Sequence, residues 1–236
     1  MQRIFISDLH LEHPQDLRST SFAQLLAHES HWADELYILG DLVEMWIGDD
    51  DDSELAMWLT EQLRACACEV YLMHGNRDFL FAEHFARSAG LTLLPDPFVT
   101  DDGFHLTHGD SLCTDDAEYQ QMRSLLRSDA WQQDILGRSL AERKAFGDGL
   151  RAQSRAANAN KATNIMDINA QAFAEAMQTS ACHTMIHGHT HRPGVHQSAP
   201  HTRYVLGAWE RCGWLIRQQH DALQLECFSL ARHYGT

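Results

Sequence analysis

The sequence is short of basic residues. Its 18 Lys and Arg stand against 33 Asp and Glu, for a formal net charge of −15 with histidine neutral. Proteins that bind nucleic acid present basic surfaces to phosphate, so this balance argues against such a partner. No run of about 18 apolar residues occurs, which excludes a membrane-spanning helix. An apolar strand begins at Arg3 with nothing like a secretory leader before it, so the expectation is a chain without one. The six cysteines, Cys66, Cys68, Cys113, Cys182, Cys212 and Cys227, form no Cys-x-x-Cys pair. Reduced, mostly buried thiols in a cytoplasmic protein are expected. Repeats and low-complexity tracts are absent as well. At 236 residues, 44 % of them hydrophobic, the chain can bury a full core as one domain, 1–236.

Histidine is abundant, 16 in all. Five short motifs carry the informative ones: Asp8-Leu9-His10, Gly40-Asp41, Gly75-Asn76-Arg77-Asp78, His108-Gly109-Asp110 and Gly188-His189-Thr190-His191. Each follows a short apolar, β-branched or aromatic run that reads as a strand. The runs are Arg3-Ile4-Phe5-Ile6, Leu36-Tyr37-Ile38-Leu39, Val70-Tyr71-Leu72-Met73, Phe104-His105-Leu106-Thr107 and Thr184-Met185-Ile186. Candidate ligands therefore sit just past strand ends, where open α/β sheets hold their sites. Any one motif alone reads equally well as a turn, since Gly-Asp and Gly-Asn are ordinary turn pairs. Five in one order do not. Their side chains offer two carboxylates, one amide and four imidazoles, a donor mix that suits divalent first-row metals such as Mn²⁺ or Fe²⁺. Paired metals of that kind promote attack on phosphorus.

The constellation resembles the calcineurin-like metallophosphoesterases, whose pattern is Asp-x-His, Gly-Asp, Gly-Asn-His-(Asp/Glu), His and Gly-His-x-His. The resemblance covers residues 8–191. It implies an α/β (α+β) fold, a two-sheet β-sandwich of mixed strands flanked by helices. It also implies two divalent ions, here expected to be Mn²⁺, with Asp41 bridging both. Asp8, His10 and His191 would complete the protein ligands of one ion, and Asn76, His108 and His189 those of the other. A shared carboxylate and hydroxide offset the repulsion between dications roughly 3.5–4 Å apart, and the bridging hydroxide would be the nucleophile.

One position departs from that pattern. Most of the superfamily has His after Gly-Asn, as general acid for an alkoxide leaving group. Arg77 stands here, and arginine cannot donate a proton at neutral pH. A leaving phosphate needs no such proton, and Arg77 can stabilise charge building on phosphoryl oxygens. The departure therefore favours pyrophosphate cleavage over hydrolysis of a simple monoester. The plainer alternative is that Arg77 only salt-bridges Asp78.

Longer stretches, residues 7–11, 40–50, 74–80, 108–116, 188–193 and 204–209, are similar to a diphosphatase family of the lipid A pathway in Gram-negative bacteria. That likeness spans nearly the whole chain. It implies the substrate UDP-2,3-diacylglucosamine, attacked at the uridine-side phosphorus to give UMP and 2,3-diacylglucosamine 1-phosphate. It implies catalytic roles for Asp41, Arg77 and His189, and substrate contacts from Asn76, Arg77, Asp116, Ser154, Asn158, Lys161 and His189. A monomer working peripherally on the cytoplasmic face of the inner membrane is expected. By spacing, Ser154, Asn158 and Lys161 share one helix face, which an exposed polar surface explains as well. Asp116 also reads as the N-cap of a helix from Ala117. Two other readings remain open: a relative acting on a soluble nucleotide, and a non-enzymatic docking platform, which would be expected to have lost ligands.

A long connection separates the His108 strand from the Thr184 strand. Met122, Leu125, Leu126, Trp131, Ile135, Leu136, Phe146 and Leu150 have amphipathic helical spacing. Residues 117–178 are thus expected as a helical cap over the site, its apolar side chains packing helix on helix or lining an acyl channel. Residues 123–161 hold eight basic side chains against four acidic ones, a local balance suited to an anionic substrate. The acidic run 49–52 reads as a solvated loop capping a helix from Ser53. His13, His74 and Asp110 are candidate supports for the ligands. Strands are expected near 3–6, 35–39, 69–73, 91–94, 98–101, 104–108, 184–187, 203–206, 213–219 and 222–230, with the last pair a hairpin. Flanking helices are expected near 20–29, 53–66 and 83–89.

Overall fold

The computed structural model describes residues 1–158 and 167–230, with side chains up to Gln153 and again from Asp167. The first half alternates strand and helix: β1 (Gln2–Ile6), α1 (Leu17–Glu29), β2 (Glu35–Leu39), α2 (Glu54–Arg64), β3 (Glu69–Met73), α3 (Glu83–Ala89) and β4 (Thr92–Leu94). Then come β5 (Phe98–Val99), β6 (Phe104–Thr107) and four helices, α4 (Ala117–Leu126), α5 (Asp129–Leu136), α6 (Leu140–Asn158) and α7 (Ala170–Ser180). The chain closes with β7 (Thr184–His187), β8 (Gly194–Ser198), β9 (His201–Val205), β10 (Cys212–Gln219) and β11 (Ala222–Ser229).

The strands form two mixed sheets, in the orders β11-β10-β1-β2-β3-β4 and β5-β6-β7-β9-β8. β1 to β4 run parallel, with β10 and β11 antiparallel at one edge. In the second sheet β6, β7 and β9 are parallel. Side-chain alternation assigns the faces. Phe5, Tyr37, Leu39, Met73 and Ile216 of the first sheet pack against Leu106 and Ile186 of the second. Their neighbours Ile4, Ile6, Leu36, Ile38 and Leu72 turn the other way, onto Phe22 and Leu25 of α1 and Leu59 and Leu63 of α2. Strands covered on both faces are apolar throughout, which explains why β1, β2 and β3 read so clearly as strands.

Caps set the helix starts. Asp16 accepts from Ser19 N at 2.7 Å, so α1 begins at Leu17, ahead of the expected 20. Ser53 itself caps α2, accepting from Ala56 N at 3.2 Å. The run 49–52 is not simply a solvated loop. Asp49 accepts from Ala82 N at 3.0 Å and Phe85 N at 2.7 Å, supplying the start of α3 with the cap that Ala82 lacks. Asp50 forms a two-pronged ion pair with Arg143 of α6. The expected hairpin is β10–β11, with Gln219 opposite Ala222. One strand was not expected: β8, a largely exposed edge strand with Val195 as its single large apolar residue. The thiols are all free, but only Cys113 and Cys182 are buried and Cys227 is exposed, contrary to the expectation of mostly buried cysteines.

Candidate metal centre

The five motif loops leave the C-terminal ends of β1, β2, β3, β6 and β7, which the parallel pairing places side by side. The loops remain tied beyond the strands. Asp8 N donates to Gly40 O at 3.1 Å, His10 N to Asp41 O at 3.0 Å, and Gly188 N to His108 O at 3.0 Å. Gly40 and Gly75 are required by close approach. A Cβ on Gly75 would lie 2.2 Å from Asp41 N and Oδ1, and one on Gly40 would lie 2.6 Å from Gly75 Cα. The buried Asp78 carboxylate joins the same two loops, accepting from Gly75 N and Leu42 N, both at 2.7 Å.

These loops bring together all seven candidate ligands. Asp8, His10 and His191 hold ligand atoms within 4.8 Å of one another, and so do Asp8, Asp41 and His108. Asp41 spans the two sides: Oδ2 is 3.7 Å from His10 Nε2 and Oδ1 is 3.8 Å from His108 Nε2. Asn76 Oδ1 lies 3.1 Å from His108 Nε2 and 2.8 Å from His189 Nδ1. Asp8, Asp41 and His108 are buried, whereas His191 is exposed, so the cluster opens on the His191 side.

The donors fit divalent ions. His108 Nδ1 donates to Leu39 O at 2.9 Å, and His10 Nδ1 lies 2.9 Å from Glu44 Oε2. Each contact orients the ring and turns Nε2 into the cluster, where a bound ion would take the place of its proton, the arrangement metal-binding imidazoles use. Electrostatics agree. Burial opposes charge on Asp8, yet His191, His108 and His10 hold its carboxyl far below the usual carboxylate range. Burial likewise opposes charge on His108, but Asp41, Asp110 and Asp8 raise it to about 9. Crowded carboxylates push Asp78 the other way: burial and then the Asp41 charge raise it to about 7. The site carries concentrated negative charge that a cation would neutralise.

Arg77 does not salt-bridge Asp78, whose two oxygens are taken by backbone N–H groups. Its own N–H donates to Asp41 Oδ1 at 2.8 Å, and its buried Nε has no partner among the described residues. Arg77 and Asn76 stand on the wall of a cavity enclosing about 1190 Å³ of empty space, part of it open to solvent. Helices of the insert supply much of the remaining wall, including Tyr119, Met122, Leu126, Trp131, Phe146 and Leu150.

The other expected contacts fare differently. Asp116 caps α4, accepting from Tyr119 N at 3.1 Å. The side chains of Ser154 and Asn158, and all of Lys161, lie outside the described residues. Of the candidate supports, His74 binds Phe81 O at 2.8 Å and not a ligand, and His13 donates its backbone N–H to Asp16 Oδ2 at 3.2 Å. Asp110 accepts from Tyr119 Oη and Arg123 Nε, both at 2.8 Å, and so ties α4 to the His108 loop. The basic excess of the insert is largely consumed internally. Arg123 and Arg127 meet Asp110, Arg138 meets Asp134, Arg143 meets Asp50, and Arg151 meets Glu44 and Glu12. Sequence reasoning missed Glu44. Its only signal was its place three residues after Asp41.

The fold and this cluster define a metallophosphoesterase. Residues 1–193 match the calcineurin-like phosphoesterase family, to which the chain belongs, and it is a metal-dependent hydrolase of that type. A solved archaeal phosphodiesterase shares the fold, with a TM-score of 0.54 at 10 % identity over 97 % of this chain and 100 % of that one. More specific relatives exist. The UDP-2,3-diacylglucosamine hydrolase of Cellvibrio japonicus (strain Ueda107) is 40 % identical over 235 residues, 95 % of this chain and 98 % of that protein. That of Salmonella typhi is 40 % identical over 240 residues, 98 % of this chain and 100 % of that protein. The chain belongs to the UDP-2,3-diacylglucosamine hydrolase family.

Proposed function

We propose that this protein hydrolyses the pyrophosphate bond of UDP-2,3-diacylglucosamine, releasing UMP and 2,3-diacylglucosamine 1-phosphate for lipid A synthesis. The full-length relatives named for that substrate support the reading. One structural observation carries it: the ligand cluster adjoins a cavity whose wall is mostly apolar and partly supplied by the insert, with Asn76 and Arg77 at the junction. A soluble nucleotide has no use for such a wall, whereas acyl chains do. Residues 117–178 are accordingly proposed as a cap over the site within a single domain.

Asp8, His10 and His191 would hold one divalent ion and Asn76, His108 and His189 a second, with Asp41 shared and Mn²⁺ the proposed metal. Bound ions supply an activated water and neutralise phosphoryl charge. The remaining chemistry belongs to the side chains. Arg77, whose backbone N–H donates to Asp41 Oδ1 and whose buried Nε has no hydrogen-bond partner among the described residues, offsets charge developing on the phosphoryl oxygens. No proton donor is needed at this position, because the departing phosphate is stable as an anion. Asn76 and His189, 2.8 Å apart, orient the phosphoryl group, and Asp116, Ser154, Asn158 and Lys161 are proposed as further substrate contacts.

A two-chain lipid is drawn from a bilayer. Leu125 and Leu136, exposed on α4 and α5, suit peripheral contact with the cytoplasmic face of the inner membrane by a monomer. The test is product analysis with Mn²⁺ and UDP-2,3-diacylglucosamine, beside a chelator control. Chelator-sensitive UMP is expected. UDP would mean cleavage at the sugar bond and would overturn the pyrophosphate reading.

A further inference from the structure

One carboxylate joins the insert to the candidate ligand His10. Arg151 of α6 places Nε 2.9 Å from Glu44 Oε1 and Nη2 3.4 Å from Glu12 Oε2. The other Glu44 oxygen, Oε2, lies 2.9 Å from His10 Nδ1. Nε2 of that same imidazole faces His191 Nε2 at 3.3 Å and Asp41 Oδ2 at 3.7 Å. Glu44 thus divides its oxygens, one to the insert and one to the ligand. It is largely buried, as is Arg151, with side-chain exposures of 16 % and 18 %. Shielded charge pairs of this kind hold their partners more firmly than solvated ones. The Glu44 backbone is fixed as well, its N donating to Leu11 O at 3.0 Å.

We propose that Arg151 is a positioning residue for His10. By holding Glu44 it sets the ion affinity of the site formed by Asp8, His10 and His191, so that docking of α6 and loading of that site are linked. This rests on reading the cluster as a metal centre. The linkage is reciprocal by thermodynamic necessity: an ion that needs His10 in place also tightens α6 onto the sandwich. Without Arg151, the Glu44 carboxylate loses its tie to the insert, and the His10 imidazole loses the fixed carboxylate 2.9 Å from Nδ1 that orients the ring. Loss of such a supporting partner costs roughly 10–100-fold in metal affinity. Glu44→Gln retains an acceptor but not the charge, which places it near the lower end. Arg151 acts one bond further away, so its removal costs several-fold.

Arg151 also stands on the cavity wall, so a direct contact with substrate is the rival explanation. Ion binding measured with no substrate present separates the two. Metal-stripped full-length protein is titrated calorimetrically with Mn²⁺ as wild type, Arg151→Met, Arg151→Lys, Glu44→Gln and the Arg151→Met/Glu44→Gln double variant. Arg151→Met is expected to weaken one class of site several-fold and leave the other unchanged, with Arg151→Lys recovering part of the loss. The double variant is expected to bind no more weakly than Glu44→Gln alone, because the effect passes through Glu44. Should a variant fold poorly, hydrogen exchange on wild type gives a second readout: added Mn²⁺ is expected to slow exchange in α6. Unchanged affinity in Arg151→Met, additive losses in the double variant, or α6 exchange indifferent to Mn²⁺ would overturn the proposal while leaving the metal centre standing. Failure of wild type to take up Mn²⁺ would overturn the metal centre itself, and this inference with it.

Discussion

Gly75→Ala is the sharpest perturbation of the ligand loops. The added Cβ would sit 2.2 Å from both the backbone N and the Oδ1 of Asp41. Relaxed non-bonded contacts lie near 3.5–4.0 Å, so the loops must part by roughly an ångström or more. They cannot do so freely. Asp78 holds both through Gly75 N and Leu42 N at 2.7 Å, and Arg77 N holds Asp41 Oδ1 at 2.8 Å. Overpacking typically costs about 1–3 kcal/mol, and a backbone obstacle places this case near the top of that range. For a chain of this size each kcal/mol moves Tm by about 2–4 °C, so a drop of roughly 6–12 °C is expected. Displacing Asp41 also weakens ion binding, so the rise in Tm on adding Mn²⁺ is expected to shrink. Scanning calorimetry with and without Mn²⁺ measures both effects. A wild-type Tm would refute the close-approach argument. A lowered Tm with an undiminished Mn²⁺ increment would show that loop spacing does not set the ion site.

Gly149→Ala makes the opposite test: nothing lies within 4 Å of its Cβ on α6, so a gain of about 0.5–1 kcal/mol is expected by chemical denaturation, and a loss would mean unrecognised packing there. Arg77→Met is expected to lower kcat by about 10²-fold while leaving Mn²⁺ affinity unchanged; retained turnover would remove Arg77 from the chemistry. Burial pushes the His105 imidazole below its usual range, so its contribution to stability is complete above about pH 6.5 and is lost as pH falls below that. Denaturation of His105→Leu between about pH 6.5 and 4.5 is expected to show a shallower decline than wild type, and equal slopes would dismiss the effect.

What was legible in the sequence follows from local pattern. β1, β2 and β3 are apolar on both faces, and each is followed at once by its motif, so strand and ligand announced each other. β8 was illegible because an exposed edge strand needs no apolar alternation. The acidic run 49–52 looked solvated because its partners are distant in sequence: Ala82 and Phe85 for Asp49, Arg143 for Asp50. The ion-pair partners of the insert's basic residues were hidden for the same reason. The basic excess looked like an offer to an anionic substrate, yet Arg123, Arg127, Arg143 and Arg151 spend their charge on carboxylates, mostly outside the insert. Counting charge along a chain says nothing about which charges meet in space. Glu44 was missed on identical grounds, since only the fold reveals that it faces His10.

The backbone decides between the metal reading of the motifs and the turn reading that each allowed alone. Among the described residues, seven that are not glycine have positive φ, and five of them are candidate ligands: Asp8, His10, Asp41, His189 and His191. Left-handed backbone costs a residue with a Cβ on the order of 1–3 kcal/mol. A loop serving only to reverse the chain would place Gly or Asn there, as turns do. Asp and His tolerate this backbone better than most side chains, but His is not among the residues that turns otherwise favour, and three of the five are histidine. The strain is sustained because the loops continue to pair past the strand ends, Leu11 bridging Val43 and Trp209 N donating to Asp8 O at 3.1 Å. Strain held in place by a rigid sandwich, at side chains that all turn towards one another, is what a fixed ligand set requires and what a simple turn does not.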